Sequence, residues 1–364
     1  MIPYDNLGKV NEGFKVLFQQ EFESFLDTGW YILGEGVNTF EQAFAAYHNT
    51  DFCIGVANGL DALVLSLQVL NLPKGSEIIV PANTYIASII SIIHAGHIPV
   101  LVEPDIQTYN IDPHKIEEAI TSKTKAIMVV HLYGKCCEMD LIGEIASKYG
   151  LPIIEDCAQA HDATYKGQKA GTFGVLGAFS FYPSKSLGAL GDAGAIITNN
   201  AHYKDLLKQL RNYGSHNKYY NDVIGSNSRL DELQALFLKI KLPYLEAITA
   251  HKRKLATLYR EGLDDRFIKP VVQKDQEDVY HIFNIRYPHR DRLKTYLYEH
   301  GIGTEIHYPV APHHQKALQP WYHGHQFPIS EEIHATSLSL PCSYCHTKAE
   351  IMRVIEVINA LEAS

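Results

Sequence analysis

The segment Leu151-Pro-Ile-Ile-Glu-Asp-Cys157, followed by Ala158-Gln-Ala-His-Asp162 and then by Gly177-Ala-Phe-Ser-Phe-Tyr182, decides the architecture. The first run has the length of a strand and closes on two carboxylates, Glu155 and Asp156. The later run, Gly177 to Tyr182, mixes small and aromatic residues as a buried strand does. An acid that ends a strand lies at the carboxyl edge of its sheet, where open α/β sheets bind ligands. The later strand leads straight into Pro183-Ser-Lys-Ser-Leu-Gly-Ala-Leu-Gly-Asp-Ala-Gly-Ala195, which sets Lys185 among small and apolar residues. One acid and one lysine therefore finish two strands close in sequence, each aimed at the same rim.

A lysine confined among apolar groups loses basicity, and its neutral amine can attack a carbonyl. Taken singly, Lys185 would read as a surface lysine on a glycine-rich loop, and Asp156 as a helix cap or turn acid. Taken together they are the pair that pyridoxal 5'-phosphate requires: a lysine for the Schiff base and an aspartate that keeps the pyridinium nitrogen protonated. Val56-Ala-Asn-Gly-Leu-Asp61 joins a strand to a helix, so the amides of Gly59 and Leu60 point outward at a helix N-terminus, a favourable place for a phosphate. Alone, Asn58-Gly59 would be an ordinary turn.

Outward from this segment, strands and helices alternate as a mostly parallel, doubly wound sheet requires. Residues 10–27 and 37–47 read as helices. Strands are expected at Phe52 to Val56, Glu77 to Val80, Val100 to Glu103, Ala126 to Val130, Pro152 to Glu155 and Ala195 to Thr198. Helices are expected at Leu60 to Leu70, Tyr85 to His94, Leu141 to Tyr149 and Tyr203 to Arg211. From about Ile248 the character changes to a long helix through Tyr259, a strand at Val279 to Tyr287, a helix at Arg290 to His300 and a strand at Thr304 to Tyr308. The expected organisation is an N-terminal segment with a large cofactor-binding domain over residues 1–247 and a small C-terminal α/β domain over residues 248–364.

A formal charge of −9 argues against a nucleic-acid binder, so a diphosphate substrate would be held by local cations and backbone amides. No segment approaches the roughly 20 apolar residues of a membrane helix. Met1-Ile-Pro-Tyr-Asp-Asn6 has neither a basic start nor an apolar signal core, which predicts a cytoplasmic protein. Six cysteines in so long a chain are expected to be reduced thiols, adjacent Cys136 and Cys137 included. Cys342-Ser-Tyr-Cys-His346 has the C-x-x-C-H spacing of haem attachment, but with no export signal it reads as a coincidence at a strand-to-helix turn; no metal site is expected.

Three motifs, Asp156-Cys-Ala-Gln159, Phe181-Tyr-Pro-Ser-Lys185 and Gly188-Ala-Leu-Gly-Asp-Ala-Gly194, resemble the signature of the DegT/DnrJ/EryC1/StrS family of pyridoxal-phosphate-dependent nucleotide-sugar aminotransferases. The likeness extends through Trp30-Tyr-Ile-Leu-Gly34, Asn58-Gly-Leu-Asp-Ala62, Pro81-Ala-Asn-Thr-Tyr85, His131-Leu-Tyr-Gly134, Asn227-Ser-Arg-Leu-Asp-Glu-Leu-Gln-Ala235, His307-Tyr-Pro309 and Pro312-His-His-Gln315. The resemblance implies the aspartate-aminotransferase-like fold, called fold type I. It implies that Lys185 and Asp156 are catalytic, that Ser180 and the Gly59–Leu60 amides bind the cofactor phosphate, that Tyr85 lies against the ring and that Gln159 meets its phenolic oxygen. Asn227 resembles the asparagine that reaches the phosphate from a neighbouring subunit, which implies a homodimer with shared active sites. Ser186 departs from the Asn that often follows the lysine, and Asn58-Gly-Leu60 lacks the threonine hydroxyl common in relatives.

The loop Arg211-Asn-Tyr-Gly-Ser-His-Asn-Lys-Tyr-Tyr-Asn221 is similar to that of members acting on dTDP-linked 3-keto-6-deoxyhexoses. Lys218, Tyr220, Tyr182 and His307 are candidates for sugar and diphosphate contacts. The implied reaction takes an amino group from L-glutamate, leaving 2-oxoglutarate, and yields a 3-amino-3,6-dideoxyhexose for surface polysaccharide such as lipopolysaccharide O-antigen. A 4-keto or 5-keto substrate, linked to dTDP or UDP, is the alternative. A Rossmann dehydrogenase fails on spacing, because Gly188, Gly191 and Gly194 precede a strand instead of opening a helix. A non-catalytic cofactor-binding regulator is the other reading, and Lys185 argues against it.

Overall fold

The structure, a computed structural model, describes residues 1–217 and 219–362. Its centre is a seven-stranded sheet. The strands are β1 (Phe52–Val56), β2 (Glu77–Pro81), β3 (Ile98–Val102), β4 (Thr124–Val130), β5 (Ile153–Asp156), β6 (Leu176–Ser180) and β7 (Gly194–Thr198). Their order is β1-β7-β6-β5-β4-β2-β3. The run from β3 to β6 is parallel, whereas β7 is antiparallel to both of its neighbours. Two antiparallel pairings in succession return β1 to the common direction, so β1, β4, β5 and β6 all end on one edge.

Residues alternate between two cores, as strands covered on both faces must. In β4, Ile127 and Val129 enter a core with Phe40, Phe44 and Phe179, while Ala126 and Met128 enter the opposite one with Leu65, Ile89 and Leu176. The first core is covered by α1 (Glu35–His48) and the second by α2 (Gly59–Val69) and α3 (Ile86–His94). Among the described residues no helix is long and apolar enough to cross a membrane.

The long helix α4 (Leu245–Gly262) leads to a third core. There β8 (Phe283–Arg286) pairs antiparallel with β9 (Ser337–Leu340), and Tyr259, Phe267, Leu293 and Ile351 pack around them. The expected boundary between residues 247 and 248 thus falls inside α4. The strand expected at Val279 to Tyr287 contracts to β8, and that at Thr304 to Tyr308 does not form. Only Glu305 bridges to Ser339. The carbonyls of His307 and Tyr308 instead accept hydrogen bonds from the Tyr133 hydroxyl and the His334 ring, so side chains satisfy the backbone that a ladder would have used.

The Cys342–His346 segment is a turn that fastens the N-terminus. His346 Nδ1 accepts the Ser343 amide at 2.9 Å, and Nε2 lies 2.9 Å from the Pro3 carbonyl. Both ring nitrogens are therefore occupied by the backbone. The six cysteines are free thiols.

Candidate active site

At the carboxyl edge of the sheet lies a cavity of about 420 Å³. Its walls bring together nine of the residues singled out in the sequence: Gly59, Leu60, Tyr85, Asp156, Gln159, Ser180, Tyr182, Lys185 and His307. They come from strand ends, a helix start and a segment after β8, which only the fold could unite.

Asp156 ends β5 and is buried. Ser88, from α3, donates its hydroxyl to Oδ2 at 2.8 Å, and the amide of Ala158 donates to Oδ1 at 3.1 Å. Burial raises the carboxyl pKa; these two donors and the charge of Lys185 act against it. The neighbouring Glu155 points to the opposite face, as strand alternation demands. It accepts from the amides of Gly171, Phe173 and Gly174 and from His131 Nε2 at 2.8 Å. Because His131 Nδ1 accepts the Cys137 amide, the ring proton sits on Nε2, facing Glu155.

Lys185 follows β6 on a tight turn in which its amide donates to the Tyr182 carbonyl. Burial pushes its amine down to about 8; Asp156 opposes the shift and Lys252 adds to it. His307 is pushed down to about 4 by burial and by Lys185, so it is a neutral imidazole.

Gln159 is oriented by backbone. Its Oε1 accepts the Tyr133 amide at 2.6 Å, and its Nε2 donates to the Tyr308 hydroxyl at 3.0 Å. Tyr85 stands against Tyr308 with ring centroids 5.1 Å apart. At the other end of the cavity α2 opens with Asn58 as N-cap, whose side chain accepts the Asp61 amide. The Gly59 and Leu60 amides precede any intrahelical partner. A Cβ on Gly59 would come within 2.6 Å of the Ser180 Cβ, so this glycine lets the helix start close onto Ser180.

Asn227 and Tyr220 do not line this cavity; both are exposed, Tyr220 on a short hairpin formed by Ser215–Asn217 and Tyr220–Asn221. Lys218 lies outside the described residues. Sequence reading missed Ser88, Tyr133, Tyr308 and His281. Tyr133 and Tyr308 sat inside quoted motifs, whereas Ser88 and His281 carried no local signal.

The DegT/DnrJ/EryC1/StrS aminotransferase family model matches residues 14–359. The chain belongs to that family. Its members are pyridoxal-phosphate-dependent aminotransferases, and this protein is one of them. It is 52% identical over 360 residues to a dTDP-3-amino-3,6-dideoxy-alpha-D-galactopyranose transaminase of Aneurinibacillus thermoaerophilus, covering 99% of each chain. Its fold matches that of DesV from S. venezuelae, solved with a ketimine intermediate, with a TM-score of 0.97, 39% identity and coverage of 100% and 99%. It also matches NtdA from Bacillus subtilis with bound cofactor PMP, with a TM-score of 0.92, 32% identity and coverage of 98% and 84%.

The cavity fits the family cofactor on its own chemistry. It offers an amine of lowered basicity, a buried carboxylate with fixed orientation, an amide donor and a helix start beside a hydroxyl. Its volume lies within the roughly 300–1,000 Å³ of small-molecule sites.

Proposed function

We propose that this aminotransferase moves the amino group of L-glutamate to the 3-keto carbon of a dTDP-linked 3-keto-6-deoxyhexose, releasing 2-oxoglutarate and a dTDP-3-amino-3,6-dideoxyhexose. The observation that carries the reading is the 52% identity, across 99% of both chains, to a transaminase named for that product class.

Pyridoxal 5'-phosphate, when bound, supplies an aldehyde that exchanges amines and a ring that takes up the electrons of a deprotonated carbon. Lys185 Nζ would hold that aldehyde and, as a free amine, would carry the α-proton of the donor. Asp156, held by Ser88 and Ala158, keeps the ring nitrogen protonated. Gln159 presents its Nε2 donor to the phenolic oxygen, and Tyr85 covers the ring face. Ser180 and the Gly59 and Leu60 amides hold the phosphate. Tyr182 and His307 contact the sugar, the latter as a neutral imidazole.

Asn227, Lys218 and Tyr220 serve the cavity of a second copy in a homodimer. This is supported by the absence of Asn227 and Tyr220 from the lining of their own cavity and by Trp30, Tyr213 and Ile224, exposed by 66%, 52% and 98%. Residues 1–247 form the cofactor-binding domain and residues 248–364 the smaller one, supported by the separate core around β8 and β9. The proposed compartment is the cytoplasm, in keeping with six free thiols, and the proposed destination of the sugar is surface polysaccharide such as lipopolysaccharide O-antigen.

The deciding experiment incubates the protein with glutamate and dTDP-linked 3-keto-6-deoxy sugars of gluco and galacto configuration, then locates the new amine by NMR. Amination at C3 is expected. Amination at C4 or C5, or turnover only with UDP sugars, would replace this reading.

A further inference from the structure

Beside the main cavity is a second chamber of about 50 Å³. It shares Ser184, His281, Ile282 and His307 with the main cavity, and is closed by Tyr4, Lys252 and Cys342. With one water occupying about 30 Å³, this chamber is too small for a sugar ring and large enough for a carboxylate.

Its charged side chains are Lys252 and Asp5. Lys252, from α4, is only 4% exposed. Its Nζ reaches the Ser186 hydroxyl at 3.4 Å and the His281 carbonyl at 3.3 Å, both long for hydrogen bonds. No carboxylate among the described residues lies within 4.0 Å of it. Asp5 lines the same chamber, accepts the Asn6 amide on Oδ1 at 2.7 Å, and acts on Lys252 through its charge without forming an ion pair with it. Among the described residues the buried His281 Nδ1 has no hydrogen-bond partner. Burial lowers the Lys252 pKa, with Cys342 and Asp5 acting against it, and an arriving anion would oppose the burial further. Among the described residues, Lys252 is the one lysine or arginine besides Lys185 that lines either cavity.

The two substrates of an aminotransferase must use one cavity in turn, yet only the amino acid carries carboxylates. We propose that this chamber is the carboxylate site of the amino donor, with Lys252 as counter-ion and His281 as second donor; the inference rests on the reading of glutamate as that donor. When the keto sugar occupies the main cavity, Lys252 rests on Ser186 and the His281 carbonyl. The residue thereby discriminates donor from acceptor without lying in the acceptor's path.

The test is calorimetric titration of the pyridoxal-phosphate-loaded protein with glutarate, a dicarboxylate that has no amine and cannot react. Affinity should fall about tenfold or more in K252M and recover in K252R, since a buried charged hydrogen bond is removed and then replaced. Retention of the near-visible cofactor band shows that each variant is folded; if K252M loses it, H281L supplies the same comparison. Unchanged affinity in K252M, or no glutarate binding by the unsubstituted protein, overturns the proposal. In single-turnover experiments the glutamate half-reaction should slow at least about tenfold more than the amino-sugar half-reaction, and equal slowing of both would mark Lys252 as structural support and overturn it. Glutarate binding requires no keto sugar, so this result is separate from the identity of the acceptor.

Discussion

Ser88 donates its hydroxyl to Oδ2 of Asp156 at 2.8 Å, joining the third helix of the large sheet to the carboxylate that ends its central strand. Ser88 is in turn 2.8 Å from the Thr84 hydroxyl, so the donor is itself held. S88A removes one of two donors from a buried carboxylate and lets burial raise its pKa further. The expected loss is about tenfold in kcat/KM, with the protein still folded. Steady-state kinetics with glutamate, together with the cofactor absorption spectrum, check it.

The amine of Lys185 has its basicity lowered by burial to about 8. In cofactor-free protein it is protonated below that value and neutral above it, and only the neutral amine attacks an aldehyde. The rate of covalent cofactor capture should therefore rise with pH through about 8 and then level off. Stopped-flow absorbance after mixing with pyridoxal 5'-phosphate measures this. A rate still climbing toward the ordinary lysine value of about 10.4 would contradict the burial argument.

Gly59 admits no side chain without displacing Ser180, whose Cβ would stand 2.6 Å away. G59A should weaken cofactor affinity by about tenfold or more while leaving the sheet intact, because the close approach of helix start to hydroxyl is lost. Fluorescence titration of the cofactor-free variant gives the affinity, and circular dichroism the fold.

Glu155 is adjacent to Asp156 in sequence but acts on the other face of the sheet. It is fully buried and serves three backbone amides and one imidazole. E155Q replaces an acceptor with a group that must turn a donor toward donors, at a cost of about 3 kcal/mol. Denaturant unfolding should show that loss, with cofactor affinity changed far less than in D156N.

The strand-acid-lysine pattern was legible because it is local: Asp156 and Lys185 each sit one step beyond an apolar run, and a parallel sheet places all such steps on one edge. The helix starting at Gly59 could be read for the same reason, from a strand, a cap and an apolar helix in succession. Thr304 to Tyr308 looked like a strand, yet two of its carbonyls were claimed by Tyr133 and His334, residues remote in sequence. No periodicity within five residues contains that information.

Sequence alone determined the family and the sheet and set Asp156 and Lys185 at one rim, since these follow from short-range patterning and from motifs in fixed order. Tertiary structure alone decided how the pair is tuned. It set Ser88 against Asp156, turned the Gln159 amide by means of the Tyr133 backbone, and brought Lys252 and His281 to a chamber beside Lys185. The physical reason is that desolvation and donor geometry depend on which atoms surround a group, and those atoms come from segments that only folding brings together.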